Sequence, residues 1–146
     1  MQISRLGPGD APRARAMFEM FATVFETPSE VLGADYLQRL LTRADVWIVA
    51  AIEGDAMVGG VTAYTLPMTR SETAELFIYD LAVRTDHQRR GIGRALINEL
   101  CSQAAAAGIE VSFVPADNDD AHALEFYRAI GGAPSPVTLF TFSRDR

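Results

Sequence analysis

Apolar residues recur at three- and four-residue spacing in Ala14, Met17, Phe18, Phe21 and Val24, which predicts a helix buried along one face and ending near Phe25. Asp10 stands at its capping position. Before it, residues 2–6 set Ile3 and Leu6 among polar neighbours, a short first strand turned by Gly7-Pro8-Gly9. Residues 26–34, with Pro28 and Gly33, read as a loop placed to face a substrate, and a second helix follows over 35–42. The run Val46, Trp47, Ile48, Val49, Ala50 predicts a buried strand over 45–52, and Glu53-Gly54-Asp55 supplies the hairpin turn to an antiparallel strand over 56–66. A long central strand spans 74–83. Leu96, Ile97, Leu100 and Ala104 then share a helical face over 92–107, stopped by Gly108. A strand at 109–114, a helix at 121–130 ended by Gly131-Gly132, and a last strand at 137–142 complete the series. The order β-α-α-β-β-β-α-β-α-β predicts an α/β (α+β) fold, a mixed and mostly antiparallel sheet flanked by helices.

At 146 residues and 49% hydrophobic content, the chain suits one domain over 1–146. No apolar stretch approaches the ~20 residues of a membrane span. Arg5 is not followed by an apolar run of the kind a secretory signal carries, so a cytoplasmic protein is expected. The formal net charge of −6 argues against a nucleic-acid partner and suits a cationic substrate. Cys101 is the single cysteine and lies among Leu96, Ile97 and Leu100, so it reads as core. With only His87 and His122 as imidazoles, neither a disulfide nor a metal site is expected.

Gln88, Arg89, Arg90, Gly91, Ile92, Gly93, Arg94 and Ala95 stand where a loop enters the helix over 92–107. Such a junction suits an anion. Without a Cβ the backbone comes close, and the unpaired N–H groups of the first helical turn carry the positive end of the helix dipole. Arg89, Arg90 and Arg94 reverse the sign of an otherwise acidic chain locally. A tight turn before a helix also uses glycine, so spacing alone leaves both readings open. No Gly-Lys-Ser/Thr follows, unlike a Walker loop, and the third glycine of a dinucleotide fingerprint is missing.

Motif and element order resemble the GNAT superfamily of N-acetyltransferases, whose pattern Arg/Gln-x-x-Gly-x-Gly/Ala is matched by Gln88, Gly91 and Gly93. The resemblance implies acetyl-coenzyme A as co-substrate, with its pyrophosphate on residues 88–95 and its pantetheine arm along a bulged strand at Leu81, Ala82 and Val83. It also implies that Tyr127, four positions before Gly131, is the general acid; the polar residue seven positions earlier, often asparagine, is here Asp120.

Acetyl transfer to an amine needs a neutral nitrogen, because an ammonium has no lone pair, and therefore a base. Asp80 lies within the run Phe77-Ile78-Tyr79-Asp80-Leu81, where an unpaired buried carboxylate is unfavourable. It is either paired with nearby backbone or arginine or placed there as that base. Glu75, Asp117, Asp119 and Asp120 are further candidates for gripping ammonium groups, with Tyr79 beside Asp80 counted among the substrate-binding residues. The chain is also similar to the type I aminoglycoside 3-N-acetyltransferases, through Asp35-Tyr36-Leu37, Ala63-Tyr64, Tyr79-Asp80-Leu81-Ala82-Val83, Ala95-Leu96-Ile97-Asn98 and Ala116-Asp117. That similarity implies direct transfer, in a ternary complex, to the 3-amino group of a 2-deoxystreptamine ring, and it allows a homodimer. The same scaffold fits a polyamine, an amino sugar or a protein amine as acceptor, and a non-catalytic coenzyme A-binding regulatory module is the reading from another class.

Overall fold

The computed structural model describes residues 1–144, whose elements run β1 (Gln2–Arg5), α1 (Ala11–Phe25), α2 (Ala34–Thr42), β2 (Val46–Glu53), β3 (Ala56–Pro67), β4 (Ala74–Val83), α3 (Ile92–Ala106), β5 (Val111–Phe113) and α4 (Ala121–Ala129), with a single 3-10 turn at Thr85–His87. The chain forms two compact units, Met1–Pro115 and the residues from Ala116 onward.

In the first unit the sheet order follows the chain, β1-β2-β3-β4-β5. The first four strands are antiparallel, and β5 joins β4 in parallel. Every position of β2 but the last is buried, which explains its unbroken apolar run: a strand covered on both faces has no polar side to alternate with. Val46, Ile48, Ala50 and Ile52 share a core with Met17, Met20 and Phe21 of α1 and Leu37 and Leu41 of α2. Trp47, Val49 and Ala51 are buried on the opposite face.

Two glycines of β3 set how closely the helices approach. A Cβ on Gly60 would lie 2.5 Å from Met17 Sδ, and one on Gly59 would lie 3.2 Å from both Ile92 Cγ2 and Leu96 Cδ1. The two sides of β3 thus receive α1 and α3 respectively. The α1–α2 loop is tied to α1 by Arg15 Nη1, which donates to Leu32 O at 2.8 Å.

Three expectations change. Asp10 occupies the N-cap of α1, but its carboxylate accepts no helical N–H; Oδ2 accepts from Gly7 N at 2.9 Å and closes the preceding turn. The strand expected over 109–114 shortens to β5, because Ile109 N–H donates to Ala104 O and closes the end of α3 instead. The final strand expected over 137–142 is absent, and the observed order ends with α4. Alternation and β-branching report a preference for extended backbone, whereas a strand also needs a neighbour, and these residues pair with none in the sheet.

The second unit contains α4, capped by Asp120 Oδ1, which accepts from Ala123 N at 3.1 Å. Its end closes through Gly132 N, which donates to Tyr127 O at 2.8 Å.

Gly60→Ala forces fully buried Met17 from its place. We expect a loss of about 1–3 kcal/mol in urea unfolding, the usual cost of overpacking; wild-type stability would show that α1 does not rest on this glycine.

Candidate active site

The centre of the first unit is an irregularity in β4. Val61 pairs with Leu81 but Ala63 pairs with Ile78, so Tyr79 and Asp80 together oppose Thr62. One extra residue makes a β-bulge, which interrupts the ladder and re-aims side chains. The backbone N–H of Asp80 is satisfied by Thr62 Oγ1 at 3.2 Å. Thr62 is the polar side chain among the buried residues described, and sequence reasoning missed it. A lone hydroxyl in the apolar run Val61-Thr62-Ala63 was the available signal; its partner becomes visible only once the strands are in register.

Asp80 is half-buried, and burial pushes its carboxyl above the ordinary carboxylate value. Beside it lies a group of aromatic rings. Phe77 stacks on Phe113 with centroids 5.1 Å apart, Tyr79 meets Phe77 edge-on at 5.6 Å, and Tyr64 meets Tyr79 edge-on at 5.9 Å. Burial pushes the Tyr64 hydroxyl up, with the Asp80 carboxylate and then Tyr36 and Tyr79 adding to it. Tyr79 is 58% exposed, so these rings and the carboxylate are reachable from solvent. Glu75 lies five residues before Asp80 on β4, roughly 15 Å away along an extended strand.

Beyond the bulge β4 loses its outer neighbour. β5 pairs only with Glu75, Leu76 and Phe77, so the described residues offer no strand alongside 78–83 on that side. Arg84 N–H donates to Val58 O across β3 at 2.8 Å. By the alternation of an antiparallel ladder Ala82 also turns its polar backbone towards β3, while Leu81 and Val83 turn theirs outward. Gln88 Nε2 takes the outward Val83 O at 3.0 Å, which pins the following loop to the end of the strand. Arg84 Nη2 and His87 Nδ1 both bind the Asp86 carboxylate at 2.8 Å, the histidine and then the arginine holding it below its ordinary value.

The loop then enters α3 through two left-handed residues, Arg89 at φ 64° and Gly91 at φ 80°. Backbone of this kind turns successive N–H groups to one side, a concavity suited to an anion. No side chain caps α3, and its first helical bond runs from Ala95 N–H to Gly91 O at 3.0 Å, so the N–H groups of Ile92 and Gly93 precede the ladder. Arg89 and Arg90 are exposed beside them. The structure therefore brings Asp80, Tyr79, Leu81, Val83 and residues 88–95 together along β4 and its exit.

Tyr127, Asp117 and Asp120 belong to the second unit. Burial raises the Tyr127 hydroxyl above its ordinary value, and the Asp120 carboxylate adds to the shift, so this phenol keeps its proton. Cys101 is half-buried with Sγ 3.8 Å from Ser112 Oγ. No three His, Cys, Asp or Glu side chains among the described residues gather as a metal site, and no described helix is long and apolar enough to cross a membrane.

The acetyltransferase (GNAT) family model matches residues 14–131. Among solved structures, the chain is similar to the aminoglycoside acetyltransferase meta-AAC0020 from an uncultured soil metagenomic sample, in complex with trehalose, at 35% identity and TM-score 0.94, covering 97% of this chain and 95% of that one. The sisomicin complex of meta-AAC0020 matches at 35% identity and TM-score 0.93, over the same shares of the two chains. The aminoglycoside acetyltransferase HMB0005, also from an uncultured soil metagenomic sample, matches at 34% identity and TM-score 0.90, covering 97% of each chain. Among curated proteins, no sequence matches this chain.

Replacing Thr62 tests the bulge. Thr62→Val leaves the Asp80 N–H without a partner and should cost about 1–3 kcal/mol in denaturant unfolding, while Thr62→Ser, which keeps the hydroxyl, should cost less. Equal losses in the two variants would mean that the hydrogen bond does not support the bulge.

Proposed function

This chain belongs to the acetyltransferase (GNAT) family and is an acyltransferase, and on that premise we propose that it works as one catalytic domain, acetylating aminoglycosides at the 3-amino group of the 2-deoxystreptamine ring. The observation that carries this reading is the bulge, which sets a half-buried carboxylate of raised proton affinity beside exposed aromatic rings and next to an unpaired strand edge. Similarity to aminoglycoside acetyltransferases at 34–35% identity supports the acceptor class.

Acetyl-coenzyme A would supply an acetyl group activated as a thioester. The residues present fit it: the outward backbone of Leu81 and Val83 N–H can pair with an amide-bearing arm, and the uncapped start of α3 with Arg89 and Arg90 can take a pyrophosphate. Arg94 opens the same helix and adds its charge, Gln88 holds the loop in place, and Ile92, Gly93 and Ala95 contribute backbone.

Asp80 removes the proton from the acceptor ammonium, directly or through water. Its raised pKa suits that task, since a base accepts a proton more readily as its pKa approaches the working pH. The rings of Tyr64, Phe77, Tyr79 and Phe113 offer π faces to sugar C–H groups and ammonium ions, and the net charge of −6 favours a polycation. Glu75, Asp117 and Asp120 would grip further ammonium groups. Tyr127 Oη keeps its proton and donates it to the leaving sulfur. Transfer is direct, with both substrates bound and Cys101 taking no part. A cytoplasmic location fits this role.

Thiol release from acetyl-coenzyme A should be fast with gentamicin or sisomicin and slow with spermidine, glucosamine 6-phosphate or a lysine peptide, and the product should carry acetyl on the 3-amino nitrogen. Preference for another of these amines would overturn the acceptor. Asp80→Asn should lower kcat by roughly 10²–10⁴-fold with coenzyme A binding unchanged. Tyr127→Phe should also slow turnover without weakening coenzyme A.

The sign of the pH dependence follows from the raised pKa. The folded chain holds the Asp80 proton more tightly than the unfolded one, so this group's contribution to stability falls as pH rises through its folded pKa, while activity rises through the same range. At neutral pH Asp80→Asn should therefore melt no lower than wild type and should lose the carboxylate limb of the pH–rate profile. An asparagine variant that melts lower and keeps its activity would make Asp80 structural.

A further inference from the structure

In the loop between β4 and α3, His87 turns away from solvent. Thr85, Asp86 and every residue from Gln88 to Gly91 are exposed, whereas the His87 side chain keeps only 16% of its surface in water. Both ring nitrogens face carboxylates. Nδ1 lies 2.8 Å from Asp86 Oδ1, and Nε2 lies 3.8 Å from Oε1 of Glu53, the last residue of β2. An ionised carboxylate only accepts, so Nδ1 carries a proton. The other oxygen of Asp86 takes Arg84 Nη2 at 2.8 Å. The ring therefore stands between its own turn and the β2–β3 hairpin, where Glu53 pairs with Ala56. The Arg84 N–H bond to Val58 O brings these two segments side by side.

The loop needs such a hold. Arg89 sits at φ 64°, and a side chain in left-handed backbone persists only where its surroundings fix it. The loop is fastened at its root by His87 N–H, which donates to Arg84 O at 2.8 Å, and by Gln88 Nε2, which donates to Val83 O at 3.0 Å. Both bonds reach no further than the end of β4. The His87 ring reaches a different hairpin.

On the reading that residues 88–95 take the pyrophosphate of coenzyme A, we propose that His87 is a positioning residue for that cofactor. Its ring ties the loop to the β2–β3 hairpin and keeps residues 88–93 in the receptive shape before the cofactor arrives. A site already in its bound shape gives up less conformational freedom on binding. Affinity falls with the fraction of time a loop spends in other shapes, so a loop receptive a tenth of the time binds roughly tenfold more weakly. The bridge also gives a reason for two carboxylates close to a loop suited to an anion. Charge alone disfavours Asp86 and Glu53 there, whereas as holders of the ring they support the loop.

Calorimetric titration with coenzyme A and with pantetheine, which lacks the pyrophosphate, reads the effect without turnover. His87→Ala should weaken coenzyme A roughly tenfold and leave pantetheine binding as in wild type. His87→Gln, which keeps an N–H on a side chain of similar reach, should recover part of the loss. Glu53→Ala, at a side chain 47% exposed, separates position from charge. Removing a carboxylate near an anion tightens binding by charge alone, whereas the bridge predicts weaker coenzyme A and no further loss when His87→Ala is added. Tighter binding by Glu53→Ala, additive losses in the double variant, or wild-type affinity in His87→Ala would each overturn the role of His87. A wild-type chain that binds coenzyme A no better than pantetheine would instead overturn the pyrophosphate reading, and the positioning role with it.

Discussion

A strand that loses its neighbour halfway along must find other partners for its backbone, and β4 meets this constraint in two ways. On the inner side the extra residue at Tyr79 and Asp80 is absorbed by the Thr62 hydroxyl. On the outer side β5 stops after three pairs, and the polar groups of Leu81 and Val83 N–H face outward from an otherwise well-buried sheet. An open strand edge of this kind is able to take hydrogen bonds from an extended, amide-bearing partner. The carboxylate, the rings and the uncapped helix are all arranged around that edge.

The close approach of α1 and α3 to β3 supports the arrangement from both faces. Gly59 lets Ile92 and Leu96 come down onto the sheet, and those two residues belong to the first turns of α3, whose start carries the anion-suited backbone. Core packing and the placement of that helix start are therefore one problem, solved by the absence of a single methyl group at Gly59. The fastening of Gln88 to Val83 O fixes the loop at its other end.

Elements with a strong period were legible from residue pattern: β4 was read with its observed bounds, and α3 differs by a residue at its end. The anion-suited junction was also legible, because glycine and arginine before a helix have a local meaning. The resemblance implied a bulge in β4 without placing its extra residue, which lies at Tyr79 and Asp80; register across two strands is a non-local quantity that neither strand's pattern contains. Thr62 was missed for the same reason. The last strand was over-read because 137–142 has the composition of a strand but no partner in the sheet, and Asp10 was read as a helical cap although a closer turn N–H competes for its carboxylate.

Arg89 has a consequence for how this protein can change over generations. A side chain in left-handed backbone costs on the order of 1–2 kcal/mol, and glycine at that position would recover most of it. The same replacement discards a guanidinium from the mouth of α3. Backbone ease and positive charge at the mouth of α3 therefore trade against each other at one codon, and a substitution there gains the first only by giving up the second.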